Sequence, residues 1–104
     1  MEKEYFDIIE EKNPEGVTFI LSGRVNSTSA EELEKKLQKP LQEGQKNIIL
    51  NMSKVEFLSS IGVRVILRAY QKANDAESKL GIEMPSQTVK NIIGMIGLNE
   101  ILIK

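Results

Sequence analysis

Hydrophobic and polar positions change their spacing several times along this chain. Three apolar runs are typical of buried β-strands, at 17–23, 46–52 and 79–84. A weaker pattern at 5–11 predicts an edge strand, and a turn containing proline and glycine separates it from the first buried strand. A last short strand is predicted at 100–103. Five strands are therefore expected.

The spacing between the first two buried strands predicts a helix. Apolar residues recur there every three or four positions, at Ala30, Leu33, Leu37 and Leu41. Two overlapping capping-box patterns, at 28–31 and 29–32, mark the expected start of this helix, and Gly44 marks its end. Pro40 predicts a kink or a restart in the last turn, because proline inside a helix costs about 3 kcal/mol.

Two further helices follow the same logic. One is predicted over 61–74, and the other begins at Pro85 and Ser86 and ends at Gly97. Apolar residues of the last helix are expected to point inward, at Val89, Ile92, Ile93 and Ile96. Strands that alternate with helices predict an α/β fold: a mixed β-sheet with parallel central strands and helices packed on it. We expect a single domain over 1–104, long enough to bury about 65% of its unfolded surface.

Composition narrows the chemistry mainly through the residues that are missing. The 104-residue chain has no histidine and no cysteine, which excludes a Ser-His-Asp relay within the chain and argues against a zinc site. The chain contains neither G-x-G-x-x-G nor G-x-x-x-x-G-K-[ST], the two glycine-rich motifs that bind phosphate groups. A net charge of −1 predicts no nucleic-acid partner, and no apolar run approaches the roughly 20 residues of a membrane span. We expect no cofactor, no metal and no enzymatic activity; the enzyme alternative is a hydrolase that uses Ser60.

One stretch, "VEFLSSIGVRVIL" at 55–67, places two hydroxyls and a glycine inside an apolar run. Ser60 is expected at or near the N-terminus of the helix over 61–74, where backbone N–H groups point outward. If the strands before it are parallel neighbours, Arg24, Asn26 and Ser60 lie at the same edge of the sheet, beyond the carboxyl ends of the strands. Binding sites of open α/β sheets gather at that edge.

The residues alone leave alternatives open. One serine of the pair is needed as an N-cap, and the second is either incidental or part of a switch. Gly62 indicates either a close approach by a partner or close packing of helix on sheet. Arg64 and Arg68 follow Ser60 on the same helical face, and they either pair with a phosphate or are solvated charges.

This stretch also carries a resemblance. "FLSSIGVRVIL" resembles the signature of STAS domains, in particular of the bacterial anti-sigma factor antagonists. The resemblance runs along nearly the whole chain, since "ILSGRVNSTSAEELEKKL", "NIILNMSKVEFLSS" and "VKNIIGMIGLNEIL" resemble further blocks of that family in the same order. The serine two places before the signature glycine is the phosphorylation site of the family, and here it is Ser60. Ser59 stands where aspartate is common, Ile61 where a small residue is usual, and Asn26 where a turn aspartate occurs.

The resemblance implies a partner-switching protein. Antagonists of this family bind an anti-sigma factor of the histidine-kinase-like ATPase fold, which doubles as a serine kinase, and they release its sigma factor. A metal-dependent serine phosphatase removes the phosphate again. The implied partner-binding residues are Arg24, Asn26, Ser59, Ser60, Ile61, Gly62, Val63 and Arg64. A cytoplasmic location is expected, without membrane insertion. The alternatives are a STAS scaffold of a stress-sensing complex and a STAS accessory subunit of a lipid transporter.

Overall fold

A computed structural model of the chain describes residues 5–103. Its four strands are β1 (Phe6–Asn13), β2 (Gly16–Val25), β3 (Asn47–Leu58) and β4 (Lys79–Glu83). Its three α-helices are α1 (Ser27–Gln42), α2 (Ser60–Asp75) and α3 (Gln87–Met95), and a short 3-10 helix covers Asn99–Ile101. The order of these elements confirms the predicted α/β fold.

The strands form one mixed sheet in the order β1-β2-β3-β4. The β1 strand is antiparallel to β2, because the turn between Asn13 and Gly16 is too short for a crossover. The pairs β2–β3 and β3–β4 are parallel, each joined through a helix. The central strands are therefore parallel, as predicted, and their carboxyl ends lie at one edge of the sheet.

One face of the sheet, here called the inner face, carries the core. Alternate residues of β2 are buried, from Val17 to Val25, and their neighbours on the opposite outer face are only half-buried. The apolar stripes of α1 and α2 belong to the same core, including Leu33, Leu37 and Ile66. Burying an apolar side chain of this size contributes roughly 1.5–3 kcal/mol, so this face stabilises the fold.

The length of β3 is the largest difference from the sequence expectation. The predicted strand ended at residue 52 and was followed by a loop, but β3 continues to Leu58 and stays paired with β2. Two register shifts, one between Ile20 and Ser22 and one between Gly23 and Arg24, insert extra residues into β3. Such bulges break the period-two burial pattern, which is why this half of the strand resembled a loop.

Three smaller features of the structure also differ from the sequence predictions. The capping box of α1 is not at 28–31 or 29–32; it joins Asn26 and Ser29, two or three residues earlier. No strand forms at 100–103, where a 3-10 helix is followed by a single bridge between Leu102 and Ile82. Ile96 does not point inward but is 45% exposed, because α3 ends at Met95.

The predicted bounds of α2 and the predicted end of α1 are confirmed, whereas the predicted restart at Pro40 is not. The α2 helix lies within one residue of the range 61–74 at each end. Glu43 caps the end of α1, next to Gly44 in the left-handed conformation with φ +70°. The restart predicted at Pro40 does not occur, because α1 runs uninterrupted to Gln42 with the proline on its buried side.

Candidate functional site

The helices α1 and α2 both begin at the same edge of the sheet, directly after the neighbouring strands β2 and β3. The last register pair of β2 and β3 is Val25 with Leu58, and each strand passes directly into the N-cap of a helix. The Ser59 N–H donates to the Val25 carbonyl at 2.9 Å, which ties the two helix starts together. The structure thus brings Arg24, Asn26 and Ser60 to one edge, as the parallel arrangement predicted.

The serine pair divides into one structural and one free hydroxyl. Ser59 is the N-cap of α2, with extended backbone, and its Oγ accepts a hydrogen bond from the Gly62 N–H at 3.1 Å. Ser60 is the first residue of the helix and is exposed. Within the described part of the chain, no hydrogen bond holds the Ser60 hydroxyl. Ser59 therefore fixes the helix start, and Ser60 presents its hydroxyl to the outside.

Gly62 is buried and faces the sheet. A Cβ at this position would lie 2.8 Å from Val25 Cγ1 and 2.9 Å from Leu58 Cδ1, closer than side chains normally approach. Glycine lets α2 sit tightly on the ends of β2 and β3. Of the two interpretations left open for Gly62, close packing of helix on sheet accounts for it.

The start of α1 is a closed network of polar side chains. Asn26 Oδ1 accepts hydrogen bonds from the N–H groups of Thr28 and Ser29, both at 3.0 Å. Ser29 Oγ in turn accepts from the Asn26 N–H at 2.8 Å and donates to the Arg24 carbonyl at 2.7 Å. The asparagine carries out the capping that an aspartate could also perform, since both are strong N-cap residues.

The outer face of the sheet contributes a contact that the sequence did not indicate. Arg24 and Phe57 are register partners across β2 and β3, and their side chains lie on the outer face. The guanidinium carbon of Arg24 is 4.3 Å from the centroid of the Phe57 ring, a cation–π geometry. The second bulge of β3 creates this pairing, so spacing along the chain held no signal for it.

The remaining predicted residues follow Ser60 in the first turns of α2. Ile61 is 44% exposed, Val63 is half-buried, and Arg64 is exposed without an ion pair among residues 5–103. Arg68 instead lies 3.9 Å from Glu34 on α1, with both side chains largely solvated. Arg68 is therefore directed toward α1, whereas Arg64 is available near Ser60, one turn along the helix.

A groove of about 700 Å³ lies at the opposite edge of the sheet. It is lined near the amino ends of the strands by residues such as Asn47, Tyr70 and Lys79, and none of the eight predicted site residues belongs to it. Residues 5–103 contain no group of three or more acidic side chains placed to hold a metal ion. None of the helices in that range has the length and apolar character of a membrane span.

The comparison with protein families agrees with this architecture. The profile of the STAS domain family matches residues 7–104, and the chain belongs to that family. A curated protein of Bordetella bronchiseptica, described as a candidate anti-sigma factor antagonist and named BtrV, is 32% identical over 60 residues. That match covers 58% of this chain and 52% of the relative, so the chain matches about half the length of that protein.

Solved structures show the same fold. An anti-sigma factor antagonist from Mycobacterium paratuberculosis superimposes with a TM-score of 0.85 at 20% identity, over 97% of this chain and 86% of that one. The anti-sigma factor antagonist SpoIIAA in its unphosphorylated form gives 0.82 at 21% identity, over 93% and 86% of the two chains. The phosphorylated form of SpoIIAA from Bacillus gives 0.79, also at 21% identity, over 93% and 89%.

Proposed function

We propose that this chain is an anti-sigma factor antagonist. It binds an anti-sigma factor of the histidine-kinase-like ATPase fold through the start of α2 and thereby releases the sigma factor that the partner holds. Phosphorylation of Ser60 by the same partner switches binding off, and a metal-dependent serine phosphatase restores it. The chain acts by binding, without catalysis of its own, and it acts in the cytoplasm, where sigma factors work.

The free hydroxyl of Ser60 is the observation that carries this proposal. It lies at the first position of α2, exposed, while its neighbour Ser59 performs the capping. Two large apolar side chains flank it, with Ile61 44% and Phe57 36% exposed. A nucleophilic hydroxyl within an exposed apolar surface suits a modification site that lies inside a protein interface.

The position of Ser60 also explains how a phosphate could act without unfolding the domain. A phosphoserine carries about −1.5 to −2 charges at pH 7. At the first turn of a helix, this charge meets outward-pointing N–H groups and the positive end of the helix dipole, and the free Arg64 lies one turn away. In a complex, the same charge would be removed from water among apolar side chains, at a large cost in free energy. Phosphorylation therefore weakens binding and leaves the fold intact.

The similar proteins reported above support the proposal through their names, because they are described as antagonists of anti-sigma factors. SpoIIAA is also known in a phosphorylated form. Two features are specific to this chain. Ser59 replaces the aspartate that commonly precedes the phosphoacceptor, and it retains the capping role. Ile61 adds apolar surface where smaller residues are usual.

Phosphosite mapping tests the proposal most directly. The protein is incubated with ATP and with each anti-sigma factor of the histidine-kinase-like ATPase fold that the source organism encodes, and tryptic peptides are analysed by mass spectrometry. We expect ATP-dependent phosphate on Ser60 and none on Ser59, whose hydroxyl is engaged with the Gly62 N–H. Each kinase is first shown to be active on an established antagonist.

Binding by calorimetry completes the test. The unmodified protein should bind the partner that phosphorylates it, and the phosphorylated protein should not. Absence of both binding and phosphate with every active kinase would contradict the proposal. A large homo-assembly on gel filtration would then favour a stress-sensing scaffold, and co-purification with a membrane ATPase would favour a transporter subunit.

A further inference from the structure

Three residues lie side by side next to the start of α2, two of them in contact through their side chains and the third through its backbone. Phe57 on β3 and Arg24 on β2 are register partners, and the Arg24 N–H donates to the Tyr5 carbonyl at 2.8 Å. Tyr5 directly precedes β1 and is 58% exposed, and Phe57 is 36% exposed. We call Tyr5, Arg24 and Phe57 the aromatic–arginine row. Gly23, with φ +93°, allows the row to form, because a Cβ there would overlap the Tyr5 backbone and ring.

Among residues 5–103, the charge of Arg24 is held in place by an aromatic ring and has no carboxylate partner. Its guanidinium lies over the Phe57 ring, and within residues 5–103 no carboxylate lies within ion-pairing distance of it. A cation–π contact occupies a face of the planar group and leaves the in-plane N–H donors available. Those donors match the geometry of a carboxylate, which an arginine can bind with two parallel hydrogen bonds. The aromatic contact also reduces the conformational freedom that Arg24 would lose on binding.

The geometry points to a docking surface for a protein segment that presents an aspartate or glutamate between apolar side chains. The carboxylate binds Arg24, and the flanking apolar groups cover Phe57 and Tyr5. Tyrosine, phenylalanine and arginine are the residue types enriched in the energetic centres of interfaces, and all three members of the row are of these types.

This inference rests on the proposed function in one respect, because it assigns the acidic segment to the anti-sigma factor. The row is continuous with the start of α2, since Phe57 precedes Ser60 by three residues and Val25 accepts the Ser59 N–H. A partner covering Ser60 and Ile61 would extend onto the row. The row therefore adds to the proposed function that the anti-sigma factor carries a negative charge where it contacts Arg24.

Affinity measurements with matched variants form the first arm of the test. Arg24→Gln removes the charge and keeps much of the stem, and Arg68→Gln is the control, an arginine directed toward Glu34 of α1 instead. Against the anti-sigma factor that phosphorylates Ser60, Arg24→Gln should raise the Kd at least about tenfold, and Arg68→Gln should change it less than about twofold. Equal affinities of wild type and Arg24→Gln would overturn the inference and leave the proposed function standing.

The second arm does not depend on the anti-sigma factor. Two capped peptides, one with aspartate between two leucines and one with asparagine in its place, are titrated into the ¹⁵N-labelled protein. The aspartate peptide should shift the Arg24 Nε–H and the backbone amides of the row, with no such shifts from the asparagine peptide or in Arg24→Gln. Identical responses to the two peptides, or none, would overturn the inference. If the aspartate peptide causes these shifts but no anti-sigma factor binds the protein, the proposed function is refuted and the inference about the row stands.

An arginine beside an aromatic ring also suits stacking of nucleic-acid bases, so the same spectra are recorded with a single-stranded oligothymidine. We expect no shifts, because the chain carries a net charge of −1 and Glu56 precedes Phe57 on β3. Oligonucleotide shifts that disappear in Arg24→Gln would replace the acidic protein segment with a nucleic acid and overturn the assignment.

Discussion

The starts of α1 and α2 form an informative pair within one molecule. Both follow the last residues of neighbouring parallel strands, and both place a serine at the first helical position, Ser27 in α1 and Ser60 in α2. Both serines are exposed. The two serines therefore occupy the same position relative to a helix N-terminus.

The surroundings of the two serines differ. Polar residues dominate the start of α1, from Asn26 to Ser29, and their side chains bond to one another and to the backbone. The start of α2 has a single cap hydrogen bond, and exposed Ile61 and Phe57 lie nearby. A helix N-terminus alone does not define a site. The apolar surface around Ser60 is what distinguishes it.

The sharpest way to use this comparison is to place the same charge at both helix starts. Ser60→Asp should weaken binding to the anti-sigma factor roughly a hundredfold, because an unpaired charge in a desolvated interface costs about 2–5 kcal/mol. Ser27→Asp should change the Kd by less than about threefold. Calorimetric titration of both variants measures the difference, with Ser60→Ala as the variant that retains binding. Similar losses for both aspartates would mean that Ser60 is not specifically inside the interface.

The two N-caps should differ in their contribution to stability. Asn26→Ala removes an oxygen that accepts from two backbone N–H groups, so we expect a loss near 2 kcal/mol, the upper end of the capping range. Ser59→Ala removes one such hydrogen bond and should cost about 1 kcal/mol. Urea denaturation followed by circular dichroism gives both free energies of unfolding. The reverse order would show that the network at α1 adds nothing to its cap.

Gly62 and Gly94 provide a matched pair of helical glycines. An added Cβ at Gly62 meets Val25 and Leu58 at under 3 Å, whereas at Gly94 the nearest side-chain atom is 4.0 Å away. Gly62→Ala should therefore lower the free energy of unfolding by about 1 kcal/mol, since overpacking outweighs the gain in helix propensity. Gly94→Ala should raise it by roughly 0.5–1 kcal/mol. Thermal and urea unfolding of both variants measure these changes in the free energy of unfolding. Stabilisation by Gly62→Ala would refute the packing argument.

The smallest effect is expected for the ion pair between the two helices. Arg68 and Glu34 are 3.9 Å apart, and their side chains are 59% and 40% exposed. A double-mutant cycle with Arg68→Ala and Glu34→Ala should give a coupling free energy of no more than about 0.5 kcal/mol at low salt. A coupling above 1 kcal/mol would show that this pair, and not only the core, fixes α2 against α1.

The sequence by itself determined the local features of this protein. The order of strands and helices follows from the periodicity of apolar residues, which reports burial one element at a time. The start of α2 at Ser59 and Ser60 follows from the chemistry of N-caps, and the common edge of Arg24, Asn26 and Ser60 follows from parallel strands. These inferences depend on neighbours in the chain or on a general rule of topology.

The tertiary structure decided everything that depends on pairing between distant residues. The bulges of β3 extend it to Leu58 and place Phe57 against Arg24, and no local pattern encodes a register shift. Only the packed helix shows that Gly62 faces Val25 and Leu58 of the sheet. Asn26 became the cap of α1 because Ser29 could bond back to it and to the Arg24 carbonyl at the end of β2. The local sequence encodes burial and secondary-structure propensity. Strand register and side-chain packing depend on contacts between elements that are distant in the chain, so they are defined only in the folded domain.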